Sequence, residues 1–293
     1  MRILVATDGS EHGDRAIRLA AAQPWPEGSA FRVVVVDDGQ VLSSELPGGG
    51  PIAVDDFAAG VEDLAEIARR GARELERPGW TSEAEVVRGR PATAIVDDAA
   101  RIEADVIVIG SRGRGLLGAF ALGSVSAEVV DHAGRPVLVG RGEDRFERVV
   151  LADDGSDSAA TARALVAGWS VFRDATVAVT SVVHVPAPLH SAISPSIYQA
   201  ALKDYARTVD EARSQRDQVL SGSAAELRKA GRSVVTLPRE GDPAEQILAV
   251  AADQAAQLIV VGSRGVTGLS RLLLGSVARN VLYGATCSVL IAR

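Results

Sequence analysis

The chain holds a single cysteine, Cys287, so no internal disulfide is possible and a reducing compartment is expected. Lysine occurs only at Lys203 and Lys229. No excess of basic charge exists either: the formal net charge is -7. That balance argues against a general binder of nucleic acid or anionic membrane, whose affinity rests on basic surface. No apolar run approaches the ~20 residues needed to cross a bilayer. Met1 to Asp8 reads directly as a strand with no signal-peptide layout, so the cytoplasm is the expected location. The four histidines, His12, His132, His184 and His190, show no metal-ligand spacing.

What is present is glycine in an ordered pattern. Gly262-Ser263-Arg264-Gly265 is followed, after nine residues, by Gly275-Ser276. The same spacing recurs in Gly110-Ser111-Arg112-Gly113 and Gly123-Ser124. Each copy follows an apolar, β-branched run (Val106 to Ile109, Leu258 to Val261) and precedes a helical stretch. Other segments repeat as well. Arg148 to Ser156 echoes Arg2 to Ser10, Gly241-Asp242-Pro243-Ala244 echoes Gly89-Arg90-Pro91-Ala92, and Ser288 to Ile291 echoes Pro136 to Val139. A repeat about half the chain long means two duplicated domains, 1–142 and 147–293, with a short charged linker from Arg141 to Glu147.

The order within each half is strand, helix, strand, helix. In the first, strands are expected at 2–7, Val33–Val36, Glu83–Val87, Val106–Ile109 and Pro136–Val139. Helices are expected at Glu11–Ala22, with Ser10 as N-cap, at Phe57–Glu76 and at Ala92–Ile102. In the second, Val177 to Val183 is a strand and Tyr198 to Lys229 a long helix. Loops are expected at Asp38–Asp55 and His184–Pro195. Strands alternating with helices predict a parallel α/β sheet in each half, with ligands beyond the carboxyl ends of the strands where strand order reverses.

At that edge the glycines let backbone N–H groups face an anion at a helix start, and Ser124 and Ser276 add hydroxyls. The same glycines would also serve as turns and helix caps. Arg112 and Arg264 could add charge. Asp8 and Asp154 suit ribose hydroxyls or a metal beside phosphates, and equally suit an Asx turn at the next helix. Val35 and Val182 could wall a base, or be plain core. A P-loop requires Lys directly after its last Gly, where Ser124 and Ser276 stand. Asp153-Asp154 is similar to the acidic pair of receiver domains, but no lysine lies near the fifth strand and Thr7 stands in place of Asp153 in the first half. Cys287 reads as a buried small residue, and no nucleophile–base pair can be assembled.

The Gly-x-x-Gly, nine-residue, Gly-Ser pattern resembles the ATP-binding signature of universal stress proteins, intact in both halves. The segments ending Thr7-Asp8-Gly9-Ser10 and Asp153-Asp154-Gly155-Ser156, the Gly-x-Pro-Ala segments and Pro136 to Val139 share the likeness. The resemblance implies two tandem, doubly wound, five-stranded parallel sheets of the adenine-nucleotide alpha-hydrolase-like, Rossmann type. It implies ATP, with or without Mg2+ or Mn2+, between the first and fourth strands of each half. Site residues by this likeness are Ala6, Thr7, Asp8, Val35, Gly110, Arg112, Gly113, Gly123, Ser124 and Val125. In the second half they are Ala152, Asp153, Asp154, Val182, Gly262, Arg264, Gly265, Gly275, Ser276 and Val277. The family pairs through fifth strands, so a homodimer or an internal mimic of one is implied, with a further protein partner unspecified. Ser288 departs from the proline expected there. The implied role is a nucleotide-dependent stress-response regulator; the alternatives are a slow ATPase or nucleotidyl-transfer enzyme and, more remotely, a flavin carrier.

Overall fold

The structure, a computed structural model, describes residues 1–39, 54–111, 122–186, 195–265 and 274–293, with the backbone alone at 54–62 and 195–201. The first half runs β1 (Arg2–Ala6), α1 (Glu11–Ala22), β2 (Ala30–Asp37), α2 (Val54–Glu74), β3 (Thr81–Arg88), α3 (Pro91–Arg101), β4 (Val106–Gly110), α4 (Ser124–His132) and β5 (Val137–Gly140). The second runs β6 (Arg148–Ala152), α5 (Asp157–Gly168), β7 (Thr176–Val183), α6 (Pro195–Lys229), β8 (Ser233–Glu240), α7 (Pro243–Asp253), β9 (Leu258–Gly262), α8 (Ser276–Gly284) and β10 (Ser288–Ala292).

The ten strands form one sheet in the order β3-β2-β1-β4-β5-β10-β9-β6-β7-β8. Every neighbouring pair is parallel except β5–β10. The two expected parallel sheets are therefore halves of a single sheet, joined edge to edge. Alternation along the strands explains the layers: Ile3 and Val5 point to one face, Leu4 and Ala6 to the other. One face carries α1, α2, α5 and α6; the other carries α3, α4, α7 and α8. Covered on both sides, the central strands can be apolar throughout.

The join is specific. Val289 faces Val139, Leu290 faces Leu138 and Ile291 faces Val137. Fully buried Ser288 uses its backbone N–H for Gln257 O, while its hydroxyl accepts from Arg141 N (3.0 Å) and donates to Arg141 O (2.9 Å). Proline could make none of these bonds, which accounts for the departure at this position. The Arg141 guanidinium donates to Leu282 O and Ala285 O at the end of α8, and Arg293 donates to Val130 O and Asp131 O at the end of α4. Each half thus caps a helix of the other, with positive charge at the negative end of its dipole. On the opposite face, Trp25 and Trp169 meet with ring centroids 6.1 Å apart.

Several expectations shift. The linker is packed: Phe146 is buried, Arg15 donates to Gly142 O and Gln23 to Asp144 O. An apolar residue inside a charged stretch accounts for this. β8 was not marked by the pattern, because it is an edge strand carrying Pro238 and a half-exposed face. α2 begins at Val54 and α6 at Pro195, so the helices extend past their expected starts. Residues 40–53 and 187–194, most of the two expected loops, lie outside the described residues.

Two outcomes check this architecture. Ser288→Pro should lower the unfolding free energy measured in urea by about 2–3 kcal/mol, because three hydrogen bonds, two of them across the join, disappear; an unchanged midpoint would contradict the role given to Ser288. Asp153→Ala should cost on the order of 3 kcal/mol. Its fully buried carboxylate accepts from Arg163 Nη1 (2.5 Å), Ser223 Oγ (2.7 Å) and Gly155 N (2.9 Å). Loss of less than about 1 kcal/mol would mean that Arg163 finds sufficient compensation in Glu226 alone.

Candidate functional site

Strand order reverses between β1 and β4, and again between β6 and β9. At each reversal two neighbouring parallel strands send their following chain to opposite faces, which opens a crevice. Ala6 aligns with Ile109 and Ala152 with Val261, so the β1–α1 and β4–α4 loops leave the sheet side by side, as do their counterparts. Both alanines are buried, and one residue further Thr7 N still donates to Val34 O and Asp153 N to Thr180 O.

In the first half Asp8 closes an Asx turn. Its Oδ1 accepts from Ser10 N (3.0 Å) and Ser10 Oγ (2.5 Å), while Ser10 Oγ caps α1 by accepting from Gly13 N. Thr7 Oγ1 accepts from Gly9 N (3.1 Å). Gly110 abuts the start of α1: a Cβ there would lie 2.1 Å from His12 O. Gly13, which the motif reading passed over, is equally constrained, since its Cβ would lie 2.5 Å from Thr7 Oγ1 and 2.6 Å from Asp8 Oδ1. A glycine in a first helical turn three residues after a Ser N-cap was the available signal. Across the crevice, Gly123 N donates to Ser111 O (2.7 Å) and Ser126 Oγ to Gly110 O (2.7 Å), tying α4 to the end of β4.

The second half repeats the plan. Asp154 Oδ1 accepts from Ser156 N (3.0 Å), and Ser156 Oγ caps α5 through Ala159 N. A Cβ on Gly262 would lie 2.7 Å from Ser158 Oγ, and one on Gly265 would lie 2.8 Å from Asp154 Oδ2. Gly275 N donates to Ser263 O (2.8 Å). The Asp8 and Asp154 carboxylates are thus committed in part to turns, with the carboxylate of Asp154 also lying against the glycine loop.

The helix starts differ in a telling way. Helices α1, α5 and α7 have side-chain caps from Ser10, Ser156 and Asp242, whereas α3, α4 and α8 have no side-chain cap and no acidic residue in the first turn; α3 opens with Pro91, which lacks an N–H, while α4 and α8 start from Gly123 and Gly275. The first bonds to the cap carbonyls come from Ala127 N and Arg279 N. The amides of Ser124, Val125 and Ser126, and of Ser276, Val277 and Ala278, therefore precede the first i→i−4 bond of their helices. Ser124 and Ser276 are exposed. Uncapped amides at the positive end of a helix dipole, on the ligand edge of a sheet, suit an anion.

Other expected residues lie differently. Arg112 and Gly113 fall outside the described residues. Arg264 is half-buried, its Nε buried without a hydrogen-bond partner in the described structure, and its charge is felt at Arg293. The pKa of Arg293 is lowered first by burial and further by Arg264. Asp153 turns away from the crevice into the Arg163–Ser223 network. Val35 and Val182 are not equivalent positions. Arg2 pairs with Ala30 and Arg148 with Thr176, so Val182 matches Val36. Val35 packs against Leu64 and Ala68 on the α2 side, while Val36 and Val182 face the α3/α7 side. Equal hydrophobicity along a β-branched run hid that one-residue slip. Burial pushes the Cys287 thiol up to about 11, so it is a poor nucleophile near neutrality.

The comparisons agree with this fold. The model of the family described as "Universal stress protein family" matches residues 1–141 and again 145–293. A universal stress protein of Mycolicibacterium smegmatis is 28% identical over 99% of this chain and 96% of its own length. One of Thermus aquaticus is 37% identical over 47% of this chain and 97% of its own length. Among solved structures, a universal stress protein from Archaeoglobus fulgidus superposes with a TM-score of 0.65 at 20% identity, covering 100% of this chain and 98% of that one. With both halves matched by the family model, the chain belongs to the universal stress protein family.

Proposed function

We propose that the protein is a nucleotide-dependent regulator with two domains, 1–142 and 147–293, each holding one ATP at its strand-order reversal. The observation that carries this reading is the pair of uncapped, non-acidic α4 and α8 N-termini facing the Asp8 and Asp154 turns. The cradle fits a polyphosphate: a Cβ on Gly110 or Gly262 would collide with the first turn of α1 or α5, and one on Gly265 with the Asp154 carboxylate, so backbone comes close to the crevice. Ser124 and Ser276 add hydroxyl donors. Asp8 and Asp154 stand where a ribose would be recognised, and the ends of β2 and β7 flank the base, with Val36 replacing Val35 as the partner of Val182.

When bound, ATP supplies a charge-dense triphosphate whose occupancy changes the surface offered to a protein partner. Among the described residues no group of three or more His, Cys, Asp or Glu is placed to ligate a metal. Mg2+ or Mn2+ accompanying ATP would take its ligands chiefly from the phosphates. No described helix is long and apolar enough to cross a membrane. The pairing of β5 with β10 uses, within one chain, the strands through which the resemblance implies dimerisation.

Calorimetric titration should detect two ATP sites per chain, and chromatography of the denatured protein should release adenine nucleotide. No binding at millimolar ATP would refute the reading. A Cβ at position 275 would meet Ser263 O at an ordinary 3.4 Å, so the fold tolerates substitution there while a branched side chain obstructs the helix start. Gly123→Val combined with Gly275→Val should weaken ATP at least about tenfold. Turnover should lie well below the common enzymatic range of about 1–1000 per second; rates within it would make the protein an ATPase.

A further inference from the structure

In the second half one residue outside the glycine loop bonds to its backbone, and its counterpart in the first half is of another type. Ser158, in the first turn of α5, presents its hydroxyl to both backbone polar groups of Arg264: Oγ accepts from Arg264 N (3.2 Å) and donates to Arg264 O. His12 stands at the matching place in α1, with no hydroxyl to offer. All peptide bonds described are trans, so a carbonyl held toward α5 turns the next N–H, that of Gly265, the opposite way. Gly265 N lies 3.8 Å from where a Cβ on Gly275 would sit, at the start of α8.

The strut behind Ser158 is also stiffer in the second half. The turn leading into α5 is tied to α6 through Asp153, which holds Gly155 N, Arg163 and Ser223 Oγ, and Arg163 in turn binds Glu226. Thr7, at the position of Asp153, reaches only its own turn through Gly9 N among the bonds described. Burial works against the Arg163 charge, yet the bonds to Glu226 and Asp153 raise its pKa, so the guanidinium stays charged throughout the physiological range.

We propose that Ser158 is a positioning residue that pre-orients the Gly265 amide toward the anion at the α8 N-terminus, making the second half the tighter of two unequal nucleotide sites. This inference rests on the proposed nucleotide function. A loop already held in its binding conformation loses less entropy when the ligand arrives, and the difference appears as affinity.

The test is ATP titration of the full chain by calorimetry, with amide exchange followed by NMR in the absence of nucleotide. Wild-type protein should show two unequal sites, the tighter one abolished by Gly275→Val and retained in Gly123→Val. In the Gly123→Val background, Ser158→Ala should weaken the remaining site about three- to tenfold. Ser158→Ala should also speed exchange at the Arg264 amide. Ser158→Thr, which keeps the hydroxyl, should restore both. Two equal sites, or a Ser158→Ala protein with unchanged affinity, would overturn this inference while leaving the nucleotide function intact. Absence of any ATP binding by the wild-type chain would overturn both.

Discussion

The antiparallel pairing of β5 with β10 is the contact on which the rest of the molecule depends. Two parallel sheets of five strands would each leave a buried-type apolar strand, β5 or β10, open at the edge, and unpaired edges invite association. Joining them edge to edge covers both, and makes one set of hydrogen bonds, centred on Leu138 and Leu290, common to both halves. Ser288 and Arg141 extend that ladder with side-chain and backbone bonds. Arg141 and Arg293 then reach across it to cap α8 and α4. These are the helices whose opposite ends form the candidate phosphate cradles. Geometry at each site is therefore referenced to the other half as well as to its own sheet.

The chemistry of the crevices follows from what the chain does not use. An acidic protein with two lysines, neither of them in a glycine motif, cannot rely on ammonium groups to hold phosphate. Backbone amides can do so without adding charge. They need helices left uncapped and glycines where backbone approaches closely, and both conditions hold at α4 and α8; α3 is also uncapped, but Pro91 at its start removes one of its amides.

Much of this was legible in the sequence because each element carried its own local signal. Continuous β-branched runs marked the covered strands, Ser10 marked the α1 cap, and the in-register glycines marked both switch points. The signals failed where three-dimensional context decides. Val35 and Val36 look alike in a run of valines, yet only pairing register shows which faces α2 and which matches Val182. Asp153 and Asp154 are adjacent acids, yet strand pleating sends one into the Arg163 network and leaves the other at the crevice. Phe146 in a charged linker, Pro238 in an edge strand and Gly13 inside a helix each contradict their neighbours locally, and only long-range packing explains them.

The most direct test of the central claim is a crystal structure of the full chain grown with ATP. The account predicts nucleotide at both strand-order reversals, with phosphates against the amides of Ser124–Val125 and Ser276–Val277 and the riboses beside Asp8 and Asp154. Nucleotide bound anywhere else, or both crevices closed by side chains with ATP in excess, would contradict it.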